Sequence, residues 1–256
     1  PTPWDEVKPS YAFVDEFAAL RPEVEGRSNR ARFDYWLHNL AFLRATGKMR
    51  CRWHQFNKAL EAAGNAATPA QRTRRARERA LPARIQLVET VTEAYRHLLA
   101  TVNTTGAMGT VTNLEQHTFP GMLEAPAGEL EALLGQPLPR EACLPKRYAG
   151  DPRLVVTTRR GSLNEGETLP LKAVVLDSAP PKSAAVLWRP LGMGAFERLP
   201  MRTAARNTCR AALDAAKIDG RDLEYYIEAV TAGGATLRWP ARAPEVNQSV
   251  VCLETR

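Results

Sequence analysis

No apolar run in the 256 residues approaches the ~20 that carry a helix across a bilayer, so no membrane partner is expected. The N-terminus Pro1-Thr2-Pro3-Trp4-Asp5 has neither an initiator Met nor the charged and apolar regions of a signal peptide, which fits a chain that begins inside something longer or after processing. Cysteine is scarce: Cys51, Cys143, Cys209 and Cys252 form no CxxC pair and no zinc pattern. Only Cys209 and Cys252 fall in one expected domain, which leaves a bridge between them open beside the common case of free buried thiols. The four histidines, His38, His54, His97 and His117, include no pair at H-x-x-x-H spacing, and no metal site is expected. There is no G-x-S-x-G elbow, no Walker A loop and no G-x-G-x-x-G after a strand, since Gly106-Ala107-Met108-Gly109 carries too few glycines and follows no strand. Hydrolase-elbow and phosphate-cradle readings therefore fail, and no cofactor is implied.

What is present is globular: 44% hydrophobic and 25% charged residues in a chain long enough for one large domain or two ordinary ones. Thirty-five Lys+Arg against 28 Asp+Glu leave a net charge of +7, which permits anionic partners without choosing among them. The densest basic cluster, Arg72, Arg74, Arg75, Arg77, Arg79 and Arg84, has no interleaved aromatic and contains Glu78. It reads as the solvated face of a helix rather than a nucleic-acid surface.

The apolar period changes part-way along. From Asn29 to about Thr101 it is helical: Phe33, Trp36, Leu37, Leu40 and Leu43 recur at three- and four-residue steps, as do Ile85, Val88, Val91, Tyr95 and Leu98. Thr68-Pro69-Ala70-Gln71 reads as an N-cap, a proline at the first helical position and a capping-box glutamine, so a helix should start at Pro69. Pro82, lacking an N–H, predicts a kink or restart near residue 81. After Asn103 the chain turns to Gly, Thr and Pro, with one short helix around Leu130, Leu133 and Leu134 ended by Gly135; residues 136–152, rich in proline, read as a linker. Beyond it come short alternating or β-branched runs at Leu154–Thr158, Leu169–Leu176, Ala184–Trp188, Leu223–Val230 and Ser249–Leu253, separated by turn signals. About seven short strands in about a hundred residues is the pattern of an immunoglobulin or fibronectin type III sandwich. The expected architecture is α+β in two domains: a helical domain over 1–125, a proline-rich linker with one short helix over 126–151, and a β-sandwich over 152–256.

Candidate chemistry concentrates in Thr110-Val111-Thr112-Asn113-Leu114-Glu115-Gln116-His117. Asn113, Glu115, Gln116 and His117 place two amides, a carboxylate and an imidazole within five residues, groups that hydrogen-bond sugar hydroxyls or serve as acid and base. The alternative is that Asn113 and Glu115 cap a helix end or fix a loop. Glu115 is the one catalytic candidate, and a lone carboxylate does not make a glycosidase, whose usual mechanism needs two. Trp53 and His54 could flank a sugar. Trp36 shares a stripe with Phe33 and Leu40 and reads as core, Trp188 reads as the core tryptophan of a sandwich, and Trp239, beside Pro240, could sit at an edge.

Three stretches together carry a resemblance: Asn29-Arg30-Ala31-Arg32-Phe33-Asp34-Tyr35-Trp36-Leu37; Leu98-Leu99-Ala100-Thr101-Val102 running into Gly109 to His117; and Leu187-Trp188-Arg189-Pro190-Leu191-Gly192 with Glu224-Tyr225-Tyr226-Ile227-Glu228-Ala229. They resemble the C-terminal region of large bacterial polysaccharide-degrading glycoside hydrolases, in which a helical region and a β-sandwich follow a catalytic (β/α) barrel. The resemblance covers nearly all of the chain, and its motifs are not catalytic signatures. It implies an accessory portion of a secreted or periplasmic hydrolase, a polysaccharide or oligosaccharide as partner, and a catalytic barrel upstream in the same polypeptide. A stand-alone binding or adhesion module for a protein or an anionic glycan is the competing expectation, because sandwiches host many functions.

Overall fold

The computed structural model describes residues 2–148 and 150–254; Pro1, Ala149, Thr255 and Arg256, which the expected domain bounds include, lie outside the described residues. The chain divides into two compact units. One takes in residues 2–25, Arg32–Thr101 and Gly109–Lys146, the other Gly26–Ala31, Val102–Met108 and residues 147–254. The architecture is α+β, a helical region followed by sheets, and among the described residues no helix is long and apolar enough to cross a membrane.

The helical part opens with α1 (Trp4–Val7) and α2 (Ala12–Ala19), which no sequence signal above anticipated. They lie along α3 (Arg27–Gly64): the Phe17 and Phe33 rings stack at 4.4 Å, Arg21 holds Asp34 bidentately and Arg44 pairs with Asp15. Tyr11 presses directly on Gly47, where a Cβ would meet its hydroxyl, so any larger residue there would have to displace the Tyr11 ring. Covering α3 on this side rearranges its burial. Its core positions are Ala41, Ala45, Met49, Phe56, Leu60 and Ala63, while Trp36 is 59% exposed and Leu43 51%. The expectation that Trp36 is core is therefore corrected: the buried stripe of α3 runs through Ala41, Ala45 and Met49, and Trp36 lies outside it.

Helix α4 (Pro69–Arg75) starts where expected, with the Thr68 hydroxyl accepting from the Gln71 N–H at 3.3 Å. It runs through a π-helical turn (Ala76–Ala80) into α5 (Leu81–Thr101), so the irregularity expected near residue 81 is a widened turn that does not interrupt the helix. After α6 (Thr105–Asn113), π-helical turns at Leu114–Thr118 and Pro120–Glu124 lead without interruption into α7 (Ala125–Leu134). One physical account covers all three turns. Leu81, Phe119 and Ala125 each donate an N–H to the carbonyl five residues back, on Ala76, Leu114 and Pro120. Each donor immediately precedes a proline: Pro82, Pro120 and Pro126. A proline lacks the N–H of an ordinary helical bond and its ring crowds the carbonyl one turn back. Widening the preceding turn by one residue moves that carbonyl aside and lets the helix pass. Gly135, at φ 67°, ends α7 as expected.

The three helical runs share one core, with Phe56 and Leu60 from α3, Leu87 and Val91 from α5, and Leu123, Leu130 and Leu134 from the third. Residues 136–146, expected as linker, belong to it: Ala142 is fully buried, and Leu138 and Leu144 pack on the same core. The pin is Arg84, 4% exposed, whose Nε and Nη1 donate to the carbonyls of Ala142 and Leu123, both at 2.9 Å, with Phe56 beneath the guanidinium. Arg84 thus leaves the solvated face assigned to its cluster. Arg72 and Arg75 turn back onto the carbonyls of Ala66 and Ala62 at the end of α3, satisfying acceptors a helix C-terminus leaves open.

The second unit holds ten strands: β1 (Arg153–Val155), β2 (Ser162–Asn164), β3 (Leu169–Leu176), β4 (Ser183–Pro190), β5 (Glu197–Pro200), β6 (Arg202–Thr203), β7 (Thr208–Leu213), β8 (Leu223–Val230), β9 (Thr236–Trp239) and β10 (Gln248–Leu253). A short α8 (Ala215–Ile218) precedes β8. One sheet has the order β1-β3-β7-β6 and the other β2-β10-β8-β4-β5, with β9 also on β8; among the described residues only β2 and β10 pair in parallel. The two-residue period does what it predicts. Leu169, Leu171, Ala173 and Val175 of β3, and Leu223, Tyr225, Ile227 and Ala229 of β8, enter a single core between the sheets, with Trp188 among them. Cys209 is buried in that core and Cys252 donates to the Arg221 carbonyl. Both are free thiols, and no bridge joins them.

Tyr225 is fully buried, its hydroxyl has no hydrogen-bond partner among the described residues, and burial pushes its pKa up to about 12. Removing an unsatisfied buried hydroxyl returns its desolvation cost, so Tyr225→Phe should raise the unfolding free energy by about 1 kcal/mol in denaturant titration. A loss of that size instead would mean that the hydroxyl has an acceptor in solution.

Candidate functional site

The 113–117 segment is helical, not a loop: Asn113 is the last residue of α6, Glu115, Gln116 and His117 lie in the π-helical turn that follows it, and the turn owes its shape to Pro120 as argued above. Asn113, Glu115, Gln116 and His117 are all exposed. Asn113 makes no capping hydrogen bond, so the expectation that it caps a helix end is corrected: the helix does not end there. Glu115 is held from the neighbouring helix, its Oε1 accepting a short hydrogen bond from the Tyr95 hydroxyl. The Tyr95 ring meets Phe119 edge-on, centroids 5.8 Å apart, which fixes the tyrosine from the other end of the same turn. Beneath lies a small cavity of about 50 Å³ lined by Phe42, Met49, Val91, Ala94, Leu114 and Phe119. The arrangement is thus a polar exposed turn anchored by one tyrosine over an apolar floor. It can offer donors and acceptors side by side; the hydrogen bonds among the described residues bring no second carboxylate to Glu115.

Trp53 and His54 are exposed on α3, and the ring contacts and hydrogen bonds among the described residues include none between them and the 113–117 turn. Sequence reasoning missed Tyr95 as the partner of Glu115. Its only signal was its position in the apolar stripe of α5, which says that a residue faces inward but not what it meets.

No protein-family model matches the sequence, and no curated protein does. Among the solved structures that are similar to part of it are two with the following overlap. An endo-beta-1,4-mannanase from Thermotoga petrophila is 12% identical over 52% of this chain and 24% of its own, with a TM-score of 0.30. An engineered protein is 14% identical over 49% of this chain and 27% of its own, also with a TM-score of 0.30. The chain spans about a quarter of the length of either. Overlap that slight says nothing of what this chain does.

The stretches that carry the hydrolase resemblance prove to be structural where they meet. Arg189 and Glu224 face each other in the β4–β8 register and pair at 2.8 Å; Glu224 also accepts from the Gly192 N–H at 3.2 Å and from Asn247 at 2.8 Å. Burial alone would raise the Glu224 carboxyl, but the bonds from Asn247, Arg189 and Gly192 outweigh it and hold the pKa below the usual range. Arg189 lies over the Phe196 ring at 4.2 Å and donates to the Gly194 carbonyl, so this network fixes the 191–196 hairpin. Phe33 and Asp34, in the first stretch, hold α2 and the Arg21 turn.

In the α3–α5 seam His38 and His97 meet, Nδ1 to Nδ1 at 2.9 Å. His97 is half-buried; burial first, then the charges of His38 and Arg96, hold its pKa down at about 4. Lys48 and Glu93 pair further along the same seam at 3.1 Å. Among the described residues no three His, Cys, Asp or Glu side chains group as a metal site.

Proposed function

We propose that this chain is a carbohydrate-contacting accessory portion of an exported polysaccharide-degrading glycoside hydrolase, with the sugar meeting the turn of Asn113, Glu115, Gln116 and His117. The observation that carries the reading is that turn: four hydrogen-bonding side chains exposed together, with the carboxylate pre-positioned by Tyr95, which limits the entropy lost on binding. The strand order supports the immunoglobulin-type reading of the second unit, since two sheets of this connectivity, with the first strand split between them, follow the Greek-key pattern of such sandwiches. Trp53 and His54 remain candidates for a flanking wall on another part of α3. The competing reading, a stand-alone module for an anionic glycan, draws on Arg74, Arg77 and Arg79, which are exposed on α4 and the turn after it.

Calorimetric titration with neutral and sulfated oligosaccharides tests the first reading. Because Asn113 caps nothing, Asn113→Ala should weaken binding about five- to tenfold, the value of one hydrogen bond, and leave the melting temperature unchanged. His117→Ala should act alike. Heat only with sulfated ligands, falling steeply with salt and insensitive to both variants, would favour the arginine surface; no heat with any ligand would sink both. The chain alone should release no reducing ends from polysaccharide. Release that disappears in Glu115→Gln would make Glu115 catalytic and overturn the accessory role.

A further inference from the structure

The geometry points to His38 and His97 as a one-proton latch that holds α3 to α5 and opens when the accepting Nδ1 is itself protonated, loosening the stretch of α5 that carries Tyr95. The ring centroids are 5.2 Å apart, which is about the 2.9 Å nitrogen separation extended by the two ring radii, so the two Nδ1 atoms face each other in line. In-line nitrogens at that distance must carry one proton between them: one imidazole donates Nδ1–H and the other accepts, which forces the two rings into opposite tautomers. A first added proton, taken at the far nitrogen of the donor, leaves the bridge intact and charge-assisted. The next must go to the accepting Nδ1, where it faces another N–H, and the bond is lost.

The surroundings set the cost of that step. Arg44 on α3 and Arg96 on α5 face His97 and oppose its charge, and Glu93 on α5 favours it while being engaged by Lys48 on α3. Burial, the largest cause, and this opposition prevail over Glu93, and the His97 pKa lies below its ordinary value. The sign of the pH dependence follows. A histidine whose folded pKa lies below its ordinary value contributes stability that is fully present above about pH 6.5 and is lost as pH falls toward 4, because the unfolded chain takes the proton first. Tyr95 stands two residues before His97 on the same helix, so loosening there reaches the anchor of Glu115.

The test uses the full chain. Nitrogen-15 spectra of the imidazoles at pH 7 should show one of the two as Nδ1–H and the other as Nε2–H, with scalar coupling across the bond. The folding equilibrium constant should fall by up to about tenfold per pH unit in the steepest part of the interval between pH 6.5 and 4, the slope of one extra proton bound by the unfolded chain. Amide protection over residues 92–99 should fall with it, and His97→Gln should flatten the dependence. Identical tautomers in the two rings, or an unchanged slope in His97→Gln, would overturn the latch. Neither measurement involves a sugar, so the latch and the carbohydrate reading fail separately.

Discussion

Arg84→Met lowers the unfolding free energy by about 3 kcal/mol, the cost of leaving two buried carbonyls without their charged donor. Methionine keeps most of the apolar stem that lies against Phe56, so the loss isolates the two hydrogen bonds to Ala142 and Leu123 rather than a cavity. Burial already pushes the guanidinium pKa down, and nothing else in the core can replace five donors in a rigid fork. Arg84→Lys should recover only part of the loss, since one ammonium is a point donor where two carbonyls from different segments must be reached. The segment around Ala142 is tied down through this contact, so trypsin should cut Arg84→Met faster than wild type at Arg140 and Lys146. Urea unfolding and a timed digest measure both effects. A loss below 1 kcal/mol would mean that water enters and satisfies the carbonyls.

Trp188→Ala costs about 3–5 kcal/mol, the range for truncating a large aromatic in a core. Trp188 sits on β4, which is flanked by β5 and β8, and its side chain fills the space between the sheets with Leu171, Leu213 and Tyr225 in the same cluster. Neighbours held by two ladders cannot collapse into the hole. Trp188→Phe, which leaves a smaller void, should cost appreciably less. Chemical unfolding followed by far-ultraviolet circular dichroism gives both values; a cost under 1 kcal/mol for the alanine variant would show that the sheets do not share a core at this position.

The legible parts of this fold are those written in short windows. Thr68-Pro69 places a helix start, Gly135 a stop, and the alternation in Leu169–Leu176 and Leu223–Val230 gives two strands with the bounds observed. Each signal is local: a cap, a left-handed glycine, a side-chain period of two. The candidate turn was legible as a cluster of residue types, Asn113 to His117, but not as a turn of helix, because the chain turns to Gly, Thr and Pro after Asn103 and a wider turn absorbs Pro120.

The period of 3.6 in α3 by itself determined a helix, yet only the tertiary structure decided which stripe faces inward, burying Ala41 and Ala45 and leaving Trp36 and Leu43 exposed, with α2 stacked along one side. The same division holds for charge. An arginine run predicts a basic helix from composition, but Arg84 becomes a buried pin because residues 39 and 58 positions away bring carbonyls within reach of its guanidinium. His38 and His97, 59 residues apart, show no spacing motif and still share a hydrogen bond, and Tyr95 reaches Glu115 across a turn whose width Pro120 sets. Local conformation depends on a handful of neighbours in the chain and is therefore written there; the partner of a side chain depends on which distant surface is left to be buried, and that is settled only when the helices and sheets close on their cores.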